Sequence, residues 1–178
     1  MKYIAILAFF LLPSLALAED VPATDSVKIA VVDIQQLMGA SKAAKSIQSQ
    51  GKSLRNKFQK KIKKIEDDLK KTEKKLVSLA KGDSQADFEK KKKEFQKKLI
   101  NGQKEAQELN KKLDKALGNA LNKLRDQIVK IVGNISTDNG YDLVISRADV
   151  VIVSKKIDIT ADVMKKLNKK LSTVKVKG

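Results

Sequence analysis

The side chains in this chain that could do chemistry are nearly all lysines. Of 38 basic residues only Arg55, Arg125 and Arg147 are arginines, and against 21 acidic residues they leave a formal charge of +17. Lysine is a mobile point charge, whereas arginine suits bidentate readout of phosphates and carboxylates. The chemistry to expect is therefore diffuse attraction of anionic partners: nucleic acid, an anionic lipid or lipopolysaccharide surface, or acidic polypeptide. The absence of histidine and cysteine removes thiol nucleophiles, the common zinc sites and the usual general base. Gly51-Lys52-Ser53 resembles the end of a phosphate-binding loop, but Ser46 stands where that motif needs its first glycine. Glu66-Asp67-Asp68 lies among lysines at helical spacing and reads as solvated surface, not as a metal cluster. No enzyme and no cofactor are expected.

Most of the charge sits on one stretch. Between Lys42 and Lys115 there are 24 basic and 11 acidic residues, so +13 of the +17 lies there. Residues 41–137 read as two long helices broken near 82–84, at Gly82-Asp83-Ser84. At 1.5 Å per residue the first limb would run about 60 Å, too long to bury in a small globule. Phe58, Ile62, Ile65, Leu69, Thr72, Leu76 and Leu79 follow alternating steps of four and three. Phe88, Phe95, Leu99, Gly102, Ala106, Leu109 and Leu113 repeat that spacing on the return limb. One narrow apolar stripe with a seven-residue repeat is a coiled-coil seam, so the limbs should form an antiparallel hairpin. Steps of four through Leu113, Leu117 and Leu121 predict a stutter. Glu66–Lys70 and Asp67–Lys71 are expected as ion pairs one turn apart, and Ser84 with Asp87 as a capping pair at the start of the second limb.

With a tip near residue 83, residues whose numbers sum to about 167 face each other. Gly51 then lies near Gly118, and each glycine weakens a helix by roughly 1 kcal/mol relative to alanine. Gly51 and Gly118 are accordingly hinge candidates near the base of the arm, close helix approach being the other reading.

The flanks should hold this arm. Residues 1–18 have a basic start, an apolar run and Ala16-Leu17-Ala18, the layout of a signal peptide cleaved after Ala18. Residues 19–26 read as a flexible lead. Val27–Asp33 reads as a strand, and Tyr141–Ile145 with Val150–Val153 as a hairpin after the stop at Asn139-Gly140. Thr160 is the expected N-cap of a last helix carrying Val163, Leu167 and Leu171 on one face. Residues 27–40 and 138–178 would then form a small β-rich oligomerisation body, with Ile29, Val31, Leu143, Ile145, Val151 and Val153 as its strand residues. About 55 residues with exposed strand edges are marginal alone, so several chains should share one core. The fold class is α+β.

Ile29-Ala30-Val31-Val32-Asp33 before a long lysine-rich hairpin resembles the opening of the Skp/OmpH family of periplasmic chaperones. Tyr141-Asp142-Leu143-Val144-Ile145, Asp149-Val150-Val151 and Ile157-Asp158-Ile159-Thr160 are similar to that family's closing segments, although Val153 stands where members often carry an aromatic residue. The resemblance implies a jellyfish-like homotrimer in the periplasm, its three arms enclosing a cavity. It also implies an ATP-independent holdase that takes unfolded outer-membrane proteins as partners and delivers them for membrane assembly. Lys60, Lys61, Lys64, Lys71, Lys90, Lys91, Lys97 and Lys98 are then the candidates for client attraction. Phe58, Phe88 and Phe95, the arm's aromatics, suit seam packing first and client contact second. Two other readings compete: a basic nucleic-acid-binding protein, for which arginine and stacking aromatics are scarce, and a structural coiled-coil spacer of the envelope. No specific nucleic acid is expected.

Overall fold

A computed structural model describes residues 26–81 and 85–178. The signal peptide, nearly all of the lead, the tip at 82–84 and the Ser84 cap therefore lie outside the described residues. Strand β1 (Ile29–Val32) leads into helix α1 (Ile34–Ala40). The Asp33 carboxylate accepts from Gln36 N at 2.7 Å and so caps α1. Buried Ser41 ends α1 and caps the next helix by accepting from Ala44 N at 3.2 Å. That helix is α2 (Lys42–Leu79), of 38 residues, and the chain returns through α3 (Gln85–Asn139), of 55. They are about 57 and 83 Å long at the helical rise.

Gly140, with φ of 64°, stops α3: the N–H groups of Gly140 and Tyr141 reach back to the carbonyls of Thr137 and Ser136. Strand β2 (Leu143–Ser146), a single 3₁₀ turn (Arg147–Asp149) and helix α4 (Thr160–Lys170) complete the described elements.

The expected hairpin between residues 141–145 and 150–153 does not form. β2 pairs in parallel with β1, Ile29 opposite Leu143, and residues 157–159 run along the other side of β1. Val151 and Ile152 are 95% and 88% exposed, and Val153 is half-buried outside any strand. Pairing in parallel follows from the path, because α2 and α3 together bring the chain back to the level where β1 began. Val150–Val153 has the β-branched composition of a strand but pairs with no strand among the described residues.

Thr160 begins α4 but caps no turn of it. Its buried hydroxyl accepts from Asp33 N at 2.8 Å, tying α4 to the end of β1. The Thr160 hydroxyl also hydrogen-bonds the Asp158 carboxylate, which holds that carboxyl below its usual range against the opposing effect of burial.

The core is more helical than the sequence suggests. Ala30, Val32 and Leu37 join Ala43, Ala44 and Ile47 of α2, Leu124, Ile128, Ile131 and Ile135 of α3, and Val163 and Leu167 of α4 in one cluster. Both helix bases therefore belong to the body's core. Further out, Phe58, Leu109 and Leu113 form a second cluster. Phe58 with Leu109, and Gly102 against Ile65, obey the sum of 167. The run of three fours is displaced, however. Buried Ala116, Ala120, Leu124 and Ile128 carry it, while Leu121 is 40% exposed.

The glycines differ in consequence. A Cβ at Gly51 would meet Leu117 Cδ2 at 2.7 Å and one at Gly102 would meet Ile65 Cγ2 at 2.7 Å, whereas one at Gly118 meets nothing within 4 Å. Gly51 thus has a packing reason, and the hinge reading leans on Gly118. Gly118→Ala is expected to stabilise the chain by up to about 1 kcal/mol through helix propensity. Gly102→Ala should gain nothing, since the branched Ile65 side chain has one favoured helical rotamer to retreat with. Thermal unfolding of both variants checks this, and equal melting temperatures would refute it.

Candidate functional site

The seam decides what the arm can present. Ile62, Ile65, Leu69, Thr72, Leu76 and Leu79 are each half-buried between the limbs, and every residue from Lys70 to Lys81 outside that register is exposed. Phe58 is 6% exposed and sits inside the seam with Leu109 and Leu113, so it presents no open ring on the arm's exposed faces. Phe88 and Phe95 are half-buried, and the Lys92 ammonium stands 6.0 Å from the Phe88 ring centroid.

Lys60, Lys61, Lys64, Lys71, Lys90, Lys91, Lys97 and Lys98 all lie on the exposed faces. Of these eight, Lys91 alone makes an ion pair among the described residues, with Glu94 at 2.8 Å. Its hydrogen bond and charge hold the Glu94 carboxyl below the usual range. The expected pairs Glu66–Lys70 and Asp67–Lys71 do not close; Lys92–Glu89 and Lys166–Asp138 are the other ion pairs found among the described residues. Lys71 and Lys98, one from each limb, line the same shallow groove with Leu69, Gly102, Asp68 and Glu105. Lys61 shares a neighbouring groove with Lys104, Lys112 and Glu108. The cationic faces are thus interleaved with single carboxylates, a surface for diffuse attraction with no built pocket for one anion. No cluster of three or more metal-ligating side chains occurs among the described residues.

Three exposed apolar residues on the arm lie outside the pattern the spacing predicts: Val77, Ile100 and Val129, the last 61% exposed. Val77 and Ile100 are 56% and 64% exposed, and Leu99, placed on the seam by its spacing, is 36% exposed. Val77 and Ile100 fall out of the heptad register, and that mismatch is the signal that could have found them. In the body, Val27, Ile29, Leu143, Val151 and Ile152 are exposed, while Val31 is buried at 2% and Ile145 is half-buried. The outer edge of β2 carries no further strand among the described residues.

Residues 28–167 match the family model described as outer membrane protein (OmpH-like). The chain is 33% identical over 159 residues to the Skp-like protein of Pseudomonas aeruginosa, covering 89% of this chain and 95% of that one. It also superposes on the crystal structure of an OmpH-like outer membrane chaperone from Caulobacter crescentus CB15 with a TM-score of 0.77, covering 84% of this chain and 88% of the other. At 16% identity that likeness concerns the fold.

Proposed function

The chain belongs to the OmpH-like family, and from that premise we propose that it is a periplasmic, ATP-independent holdase for unfolded outer-membrane proteins. One observation carries the mechanism. The lysines stand on faces that the seam does not use, so the arm keeps its shape while its charge stays available. Long-range attraction brings an acidic unfolded chain to the arm, and exposed side chains such as Val77 and Ile100 give weak, replaceable apolar contacts. Neither kind of contact selects a sequence, which suits a binder of many unfolded chains.

A cavity needs more than one arm, and the assembly proposed is a homotrimer. The open β2 edge and the exposed Val27, Ile29, Leu143, Val151 and Ile152 support burial between bodies. Gly118, with open space around it, would let the base of each arm adjust to its load.

The purified chain should suppress aggregation of an unfolded β-barrel protein without ATP, at a stoichiometry of one client per oligomer. Light scattering with sedimentation to fix the mass reads both. A monodisperse oligomer that fails to suppress aggregation would instead support an envelope spacer.

A further inference from the structure

Beyond α4 the chain does something no helical pattern accounts for. Residues 174–178 run extended along the base of the arm, against the face of α2 that carries Gln50, Leu54 and Phe58. Val174 is buried in the body core, Val176 is half-buried against it, and Lys175 and Lys177 between and after them are exposed. Gln50 holds the backbone of this tail with both ends of its carboxamide. Nε2 donates to Val174 O at 2.8 Å, and Oε1 accepts from Val176 N at 3.1 Å. A carboxamide has the donor and acceptor of a peptide group, and bonding to residues either side of Lys175 is what a parallel strand would do. The same Nε2 donates to Ser46 Oγ at 2.8 Å, which fixes the amide's orientation. Further along, a Cβ at Gly178 would meet Leu54 Cδ2 at 2.6 Å and Phe58 Cζ at 3.3 Å, so the tail's last described residue lies directly on the apolar floor.

We propose that this face of α2 is a binding groove for extended polypeptide with alternating apolar side chains, and that residues 174–178 are its resident occupant. Nothing in the groove reads a side-chain identity: the polar contacts go to backbone, and the apolar ones to Val174 and Val176, two residues apart, with Gly178 against Leu54 and Phe58. Strands of outer-membrane barrels alternate in that way, so the displacing occupant is an unfolded strand of that class; this step rests on the client reading above. A tethered tail faces the groove at an effective concentration of the order of millimolar. Single short peptides therefore compete poorly, while a long unfolded chain offering many such strands can displace the tail and engage the groove beside the cationic arm.

The test uses the full chain carrying Lys57→Cys and Lys177→Cys, two exposed positions, with spin labels reporting tail docking. On adding an unfolded β-barrel protein the docked population should fall about five-fold or more, the size of shift that a strongly preferred competitor imposes on a two-state equilibrium. In parallel, Val176→Ser, which loosens the tail from the groove, should bind a labelled peptide of residues 172–178 several-fold more tightly than the unaltered chain, and adding Gln50→Ala should abolish that gain. A client complex, verified by co-elution, with unchanged label distances would overturn the groove and leave the chaperone reading standing. If no client co-elutes, the chaperone reading falls and the peptide titration decides the groove alone: no binding to the Val176→Ser chain at millimolar peptide overturns it.

Discussion

Leu124→Ala is expected to cost about 3 kcal/mol, within the range of 2–5 kcal/mol for truncating a fully buried leucine. Leu124 is 0% exposed and lies in the cluster that joins β1, α1, the bases of α2 and α3, and α4. A cavity there touches several elements that cannot all close around it, because cores are packed to the density of organic crystals. Against a total stability of about 5–15 kcal/mol for an ordinary domain, the loss would be severe. With a denaturant slope of about 2 kcal/mol/M, the urea midpoint should fall by about 1.5 M at fixed protein concentration. Leu121→Ala is the control. Sequence spacing places Leu121 on the seam, whereas the structure leaves it 40% exposed and buries Ala120 at 1% instead. Its truncation should cost under about 1 kcal/mol, as surface changes usually do. Equal losses for the two leucines, read by circular dichroism in urea, would show that the seam follows the leucines and not the alanines.

That displaced seam shows where a sequence stops being legible. Period and spacing revealed the two limbs and their pairing sum, because each limb repeats one local signal over many turns. The sum brings Phe58 to Leu109 and Ile65 to Gly102 as the structure has them. Ala116 and Ala120 were passed over because alanine carries little hydrophobic signal, yet their smallness is what lets the limbs close at the base. The body was harder. β1 and β2 lie 114 residues apart at Ile29 and Leu143, and no local pattern says that such runs pair in parallel. Val150–Val153 has a strand's composition, but strand propensity is a statement about neighbours, and among the described residues this segment pairs with no strand. The arithmetic of a marginal body also changes. The helix bases supply Ala43, Ala44, Ile47 and the isoleucines of α3 to its core, so smallness alone no longer argues for association. The exposed apolar residues and the open β2 edge now carry that argument. As for the candidate site, exposure of the lysines followed directly from the seam. The Gln50 contact to Val174 spans 124 residues and left no mark in the sequence.

Replacing Lys60, Lys61, Lys64, Lys71, Lys90, Lys91, Lys97 and Lys98 by glutamine is expected to weaken client binding at low salt by at least about ten-fold. An exposed charge contributes only about 0.2–1 kcal/mol to a pair. Eight together can therefore supply well over 1.4 kcal/mol, the equivalent of a factor of ten. The arm itself should survive, since none of these lysines lies on the seam and glutamine matches lysine in helix propensity. Helix content by circular dichroism should be unchanged. Salt gives the second axis. The screening length shrinks from about 10 Å at 0.1 M to about 3 Å at 1 M. The unaltered chain should therefore lose affinity as salt rises, while the glutamine variant starts weak and stays nearly flat. Val77→Ser with Ile100→Ser should do the opposite, lowering affinity while keeping the full salt slope, because their contribution is apolar area on exposed faces. Fluorescence titration of a labelled unfolded barrel protein against each variant, at several salt concentrations, separates the two. If the glutamine variant kept the affinity and slope of the unaltered chain, the lysines would be a solubilising face alone, and the grip would belong to the apolar residues and the groove at the base.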